Sequence, residues 1–254
     1  MYAQTILELL NQLRGNGMST PELCRVHEAY DLATETFAGL FRPSGKTFLA
    51  HAVGTASILH AVGAPLDLVI AGLIHSIYAH GDFGRRHKGV TDDARREVRN
   101  VVGNDVEDIV AQYAAFKWNR SLMPEIADSL SSYDSRSRAV VLMRLANEVE
   151  ENLDGGVLYL PNAERRRQAD NAIVPVLVTM AQKLENPMLA SELQRVFAET
   201  MAAKIPRGFS DRRPSGVIGQ APLSCRRRLP LTLEAAFARG VRVARRILGR
   251  PTAQ

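Results

Sequence analysis

Two histidines carry whatever chemistry this chain offers: His51 in Phe48-Leu-Ala-His51 and His75 in Gly72-Leu-Ile-His75. Each sits in an apolar segment of helical character, and the turn Gly63-Ala-Pro65 between the segments lets them pack as a pair that brings the imidazoles together. A polar cluster follows the second histidine: Ser76, Tyr78, His80 and Asp82. Farther along, Arg144, Asn147, Glu148 and Glu151 recur at spacings of three and four, one strip of a long helix. Imidazole titrates near neutrality, so His80, and less readily Tyr78, are candidates for proton transfer. His51 and His75 with Glu151, His80 or Asp82 would form a histidine/carboxylate set of the kind zinc or iron accepts. Upstream, Arg42, Ser44, Gly45 and Lys46 form a short cationic loop suited to a phosphate or carboxylate. The same loop also reads as a glycine turn with two solvated cations.

The elements that must position these residues are helices. Ile6, Leu9, Leu10 and Leu13 share one face of a first helix, stopped at Gly15 and Gly17. Thr20-Pro21-Glu22 opens a second, with threonine as N-cap and proline at the first helical position, running to about Gly39. The His51 helix spans about Phe48 to Val62. Phe83 to Gly89 reads as an exposed basic loop containing His87, and Thr91 starts the next helix. Asn104 with Glu107 has capping-box spacing for a helix ending near Phe116. Met123-Pro124 suggests a break and a short helix; a long helix runs from about Ser135 to Asp154. Residues 162–185 and 187–203 are helical, the first bent or broken at Pro175. Only Val157-Leu-Tyr-Leu160 has the composition of a strand, and it is too short to be assigned as one.

The pattern FLAH…AGLIHS, preceded by Arg42-Pro-Ser44-Gly45-Lys46 and followed by Arg144-Leu-Ala-Asn147-Glu148, resembles the HD-domain superfamily of all-helical, metal-dependent phosphohydrolases. It looks most like the branch that hydrolyses guanosine tetraphosphate, over roughly residues 25–155. The resemblance implies an all-α, HD-like bundle, a nucleotide-like substrate and one metal held by two histidines, the aspartate of the His-Asp pair and a distant aspartate. His51 and His75 match, whereas Ser76 stands at the paired aspartate and Asn147 at the distant one. The acidic pair that the branch uses on its water falls at Ala79 and His80. Two neutral replacements remove two negative charges, which should cost most of the affinity for a divalent ion.

The chain has 254 residues, 46% of them apolar, enough for one large helical domain with an extension. Eleven arginines stand against Asp211 and Glu234 after residue 204, a net +9 that exceeds the whole chain's +5, so residues 1–204 sum to about −4. We expect an HD-like domain over 1–204, a flexible basic linker over 205–230 marked by Pro206, Gly208, Pro214, Gly216, Gly219 and Pro222, and a basic amphipathic helix over 231–250. Leu233, Phe237, Val241, Ala244 and Leu248 form the apolar face of that helix. An anionic surface or a protein groove fits it; with Phe237 as its sole aromatic, specific nucleic-acid recognition is the least favoured partner. No transmembrane segment or signal peptide is expected. Only Cys24 and Cys225 occur, without CxxC spacing, which suits a reducing, cytoplasmic location.

The reading is a cytoplasmic small-molecule enzyme on a degenerate HD scaffold without the standard metal centre. His51, His75, Ser76, Tyr78, His80 and Asn147 are its candidate catalytic residues; Arg42, Ser44, Lys46, Asp82, Arg144, Glu148 and Glu151 are its candidate ligand contacts. A small anionic molecule is the expected ligand, with no cofactor assigned and a divalent metal the main alternative. A catalytically silent binding module and a metal enzyme with a rebuilt coordination set are the competing classes. Polar residues at the old metal positions favour a ligand pocket, since an unpartnered polar group is costly to bury. A closed hydrogen-bond network that only specifies the fold would also satisfy them.

Overall fold

The computed structural model describes residues 1–83, 89–159 and 163–204. The expected basic loop around His87, the linker over 205–230 and the helix over 231–250 therefore lie outside the described residues. The described fold is all-α, as the periodicity implies. Its helices are α1 (Ile6–Gly15), α2 (Thr20–Phe37), α3 (Phe48–Ala61), α4 (Leu66–Ile74), α5 (Ile77–His80), α6 (Asp92–Val102), α7 (Asn104–Ala115), α8 (Met123–Ser129), α9 (Ser135–Asn152), α10 (Ala163–Lys183) and α11 (Pro187–Ala202). Among the described residues no helix is long and apolar enough to cross a membrane.

The centre is α3, in which Phe48 and every residue from His51 to Leu59 are buried. A helix without a polar face must be enclosed by others. Helix α4, buried from Leu68 to Ile74, returns along it after the turn at Gly63, whose φ of 80° suits glycine. The two approach closely because Gly72 has no side chain: a Cβ there would lie 2.7 Å from Leu59 and 3.3 Å from the Ala56 Cα. Helix α9 packs on α3, α7 and α11. Gly54 of α3 makes room for α9, since a Cβ would meet the Glu150 side chain at 2.8 Å. These two glycines let three helices converge around His51.

Local details differ from the sequence reading. Helix α2 is capped by Ser19 rather than Thr20: Glu22 reaches back to accept from the Ser19 amide at 2.8 Å and from its hydroxyl at 2.7 Å. Asn104 and Glu107 form no capping box. Gly103 caps α7, and Glu107 turns inward to a group of arginines. Val157 and its neighbours form a 3₁₀ turn, Gly156–Tyr159, with no partner strand among the described residues. Helix α10 runs through Pro175 unbroken. The loop from Phe41 to Thr47 is closed by an isolated antiparallel bridge between those residues. Arg42 and Lys46 pair across it, and Gly45 adopts a φ of 91° to make the turn.

Candidate functional site

The two imidazoles meet as the spacing requires. His51 on α3 and His75 at the C-terminal end of α4 are 0% and 2% exposed, with their Nε2 atoms 3.2 Å apart. Their partners fix the tautomers. His75 Nδ1 faces the Gly72 carbonyl at 2.7 Å and must donate to it, which leaves its Nε2 as a lone pair. Arg42 Nη1 lies 2.8 Å from His51 Nε2 and can only donate, so that nitrogen is a lone pair too. His51 Nδ1 then donates to Glu150. Burial holds both imidazoles well below the usual histidine range, and the Arg42 charge adds to this for His51.

Around them lies a closed ring of charge. Arg42 Nη2 donates to Glu151 Oε1 at 2.6 Å, and Asn147 Nδ2 donates to the same oxygen at 3.1 Å. Lys46 donates to Glu150 and lies 3.1 Å from Asp154. Burial pushes the Glu150 carboxyl up to about 8, opposed chiefly by Lys46. Both of its oxygens accept hydrogen bonds, from His51 and from Lys46, the arrangement that a carboxylate wants. Glu151 is held below the usual carboxylate range: burial acts to raise it, but Arg42 leads the interactions that outweigh this.

A cavity of about 360 Å³ opens on the outer side of this ring. Arg42, Ser44 and Lys46 line it from the loop, Glu148, Glu150 and Glu151 from α9, and Trp118, Arg120, Arg166 and Asp170 from the far wall. Its carboxylates are not equivalent. Glu150, Glu151, Asp154 and Asp170 pair with Lys46, Arg42, Lys46 and Arg120 respectively. Glu148 has no cation in ion-pairing reach among the described residues; it accepts from the Trp118 indole at 2.8 Å. Burial, with Glu151 beside it, pushes its carboxyl up to about 7.

Thirteen side chains were singled out by sequence, and the structure gathers only part of them. Arg42, Ser44, Lys46, Glu148 and Glu151 line the cavity, with His51, His75 and Asn147 in or behind the ring. Ser76 sits at the start of the short helix α5 and makes no side-chain cap there. Tyr78 is not in the site. Its hydroxyl donates to Glu107 at 2.6 Å in a separate network with Arg95 and Arg99, and burial pushes its pKa far up. His80 packs against Phe48, ring centres 5.0 Å apart, and Asp82 is exposed, its amide donating to Thr36. Arg144 lies 3.6 Å over the Tyr113 ring and donates to the Tyr113 and Phe116 carbonyls, which satisfies the end of α7. Glu150 and Trp118 were missed. The signal for Glu150 is Gly54, the one glycine of the buried helix α3; Trp118 lies where no periodicity marks it.

The donor set does not fit the metal that the HD resemblance implies. Among the described residues no three histidine, cysteine, aspartate or glutamate side chains form a group able to hold an ion. Glu150 is engaged by His51 Nδ1 and Lys46, Glu151 is taken by Arg42, and neither His80 nor Asp82 forms a coordination set with the histidine pair. The rebuilt set proposed from the sequence is not assembled.

Comparison with known proteins gives consistent relatives at a distance. Residues 32–117 match a domain family of unknown function, DUF6817, about a third of the chain. A GTP pyrophosphokinase of Streptomyces antibioticus is 23% identical over 212 residues, covering 81% of this chain and 24% of that protein. One from Streptomyces coelicolor is 22% identical over 219 residues, covering 84% and 25%. The chain thus spans about a quarter of the length of these relatives. A solved structure, described as a metazoan ortholog of SpoT that hydrolyzes ppGpp, is 15% identical with a TM-score of 0.45, covering 72% of this chain and 96% of that one.

Proposed function

We propose that this chain binds a nucleotide-like small molecule in the cavity beside α9, on an HD-like helical scaffold that lacks the standard metal centre. The observation that carries the reading is the uneven pairing of the cavity wall. Glu148 is left with a single neutral donor, and Arg166, exposed on the same wall, has no carboxylate partner among the described residues. One unpaired acceptor and one unpaired cation suit a ligand with N–H donors at one end and phosphate at the other. The volume lies within the range of small-molecule sites. The distant likeness to GTP pyrophosphokinases makes guanosine nucleotides the first probes.

Trp118 is the only tryptophan of the chain and touches Glu148, so it reports directly. Titration with GTP and with ppGpp should change its fluorescence, with micromolar or tighter affinity. An ionised carboxylate accepts N–H donors with both oxygens and more strongly than the acid, so binding should tighten as pH rises through about 7 and lose that dependence in Glu148→Gln. Flat titrations with both nucleotides, confirmed by calorimetry, would refute the reading. Hydrolysis is the second reading, favoured by a carboxyl near neutral pKa within the cavity. Chromatography of the incubated nucleotides separates it: intact ligand means a binding module, and product lost in Glu148→Gln means an enzyme.

A further inference from the structure

We infer that the Arg42 guanidinium is a resident cation occupying the position on which a metal would sit, and that its removal opens a latent divalent-ion site. The inference needs no ligand in the cavity and stands apart from the nucleotide reading.

Three observations converge. First, the histidine pair has the geometry of two ligands on one ion. Metal–imidazole bonds are about 2.0–2.1 Å, so adjacent tetrahedral donors lie about 3.3 Å apart; His51 Nε2 and His75 Nε2 are 3.2 Å apart. Second, both nitrogens present lone pairs, as their other contacts dictate. Two lone pairs at that distance repel each other and need a positive charge beside them. Arg42 supplies it, with Nη1 2.8 Å from His51 Nε2 and Nη2 2.6 Å from Glu151.

Third, the carboxylates are already paired. Arg42 holds Glu151, and Lys46 holds Glu150 and Asp154, around two neutral rings. A divalent ion added beside Arg42 would bring two further positive charges next to a guanidinium and a fully buried histidine, with no added carboxylate to meet them, because Ser76 and Asn147 bring none. A guanidinium is also planar, permanently charged and able to bridge a nitrogen and an oxygen at once, which a lysine at this position could not do. The loop that the sequence offered as an anion trap is therefore turned inward: Arg42 serves the histidines.

As placed, His51, His75 and Glu151 do not form an ion-binding group; without Arg42 the Glu151 side chain loses its cationic partner and is free to swing toward the pair, completing a two-histidine, one-carboxylate set suited to zinc. The test is zinc binding by the full chain, purified without a metal-affinity column and stripped with chelator, followed by calorimetry and by imidazole nitrogen chemical shifts. Wild type should take up no zinc at the pair, its two Nε2 resonances unmoved. Arg42→Ala should bind about one equivalent, at least a hundredfold more tightly than wild type, and lose it in the Arg42→Ala/His75→Ala double variant. Arg42→Gln, which keeps a hydrogen-bonding side chain of similar shape, serves if the alanine variant does not fold. Zinc moving both Nε2 resonances in wild type would overturn the inference. So would a folded Arg42 variant that binds no zinc.

Discussion

Two buried polar networks stand out among the described residues, and the one around His51 borders the cavity beside α9. In the first, between α6 and α7, Glu107 is 0% exposed and accepts from Tyr78 at 2.6 Å, from Arg95 at 2.7 and 2.8 Å and from Arg99 at 2.7 Å. Asp108 accepts from Nη2 of both arginines, at 2.9 and 3.2 Å. Both Glu107 oxygens and the tyrosine hydroxyl are satisfied, and none of these side chains lines the cavity beside α9. In the second, around His51, two lone pairs face one another across a borrowed cation, and a cavity wall carries a carboxylate with one neutral partner. A closed network specifies a fold; an incompletely paired one has chemistry left for a ligand. Burial of polar groups alone does not tell the two apart.

The largest effect should come from breaking the closed network. Glu107→Ala leaves two guanidinium groups with Asp108 alone and a buried hydroxyl unpaired, for which up to about 3–5 kcal/mol is the usual cost. Chemical denaturation should show that loss, while nucleotide titration of the folded fraction stays at wild-type affinity. A change in affinity greater than stability explains would mean that the networks are coupled. A smaller effect is expected at the joint of the open network. In Gly54→Ala the new methyl would meet the Glu150 and Gln4 side chains at 2.8 Å, so Glu150 must move. Overpacking of this kind costs about 1–3 kcal/mol, and displacing Glu150 should also shift the His51 Nδ1 resonance, to which it is bonded. An unchanged resonance would dissolve the tie between that glycine and the site.

The sequence was informative where periodicity and spacing carry the information. The His51 and His75 segments, the loop from Arg42 to Lys46 and the polar strip of α9 are all found as helices and turns near the expected bounds. What spacing cannot supply is direction. Tyr78 follows His75 by three residues, but α4 ends at Ile74 and α5 starts anew at Ile77, which turns the tyrosine toward Glu107. Asn104 and Glu107 have the spacing of a cap, but a glutamate prefers two arginines to one backbone amide, and those arginines come from another helix. Glu150 went unread because buried carboxylates are rare and Glu151, its neighbour, fitted the helical strip better. In each case a long-range electrostatic partner decided the outcome, and partners of that kind leave no local pattern.

The smallest and sharpest contrast is at Glu148. Its carboxyl titrates near 7 in the folded chain against about 4.5 when unfolded, raised chiefly by burial and then by Glu151, with Trp118, Arg120 and Arg144 pulling the other way. A raised acid is destabilising when ionised: the cost is absent below about 4.5, grows between 4.5 and 7, and is complete above 7. Glu148 remains partly exposed, so water screens part of that cost and about 1–2 kcal/mol is expected. Glu148→Gln should therefore match wild type in stability near pH 4.5 and exceed it by that amount at pH 8, measured by urea denaturation at both values. Glu107→Gln should behave in the opposite way, weakening the protein at pH 8, because that carboxylate is held ionised by its arginines. A stabilising substitution at a polar position marks a residue kept for something other than the fold. If Glu148→Gln proves neutral or destabilising at pH 8, the second network is as closed as the first, and the cavity beside it loses its claim to a ligand.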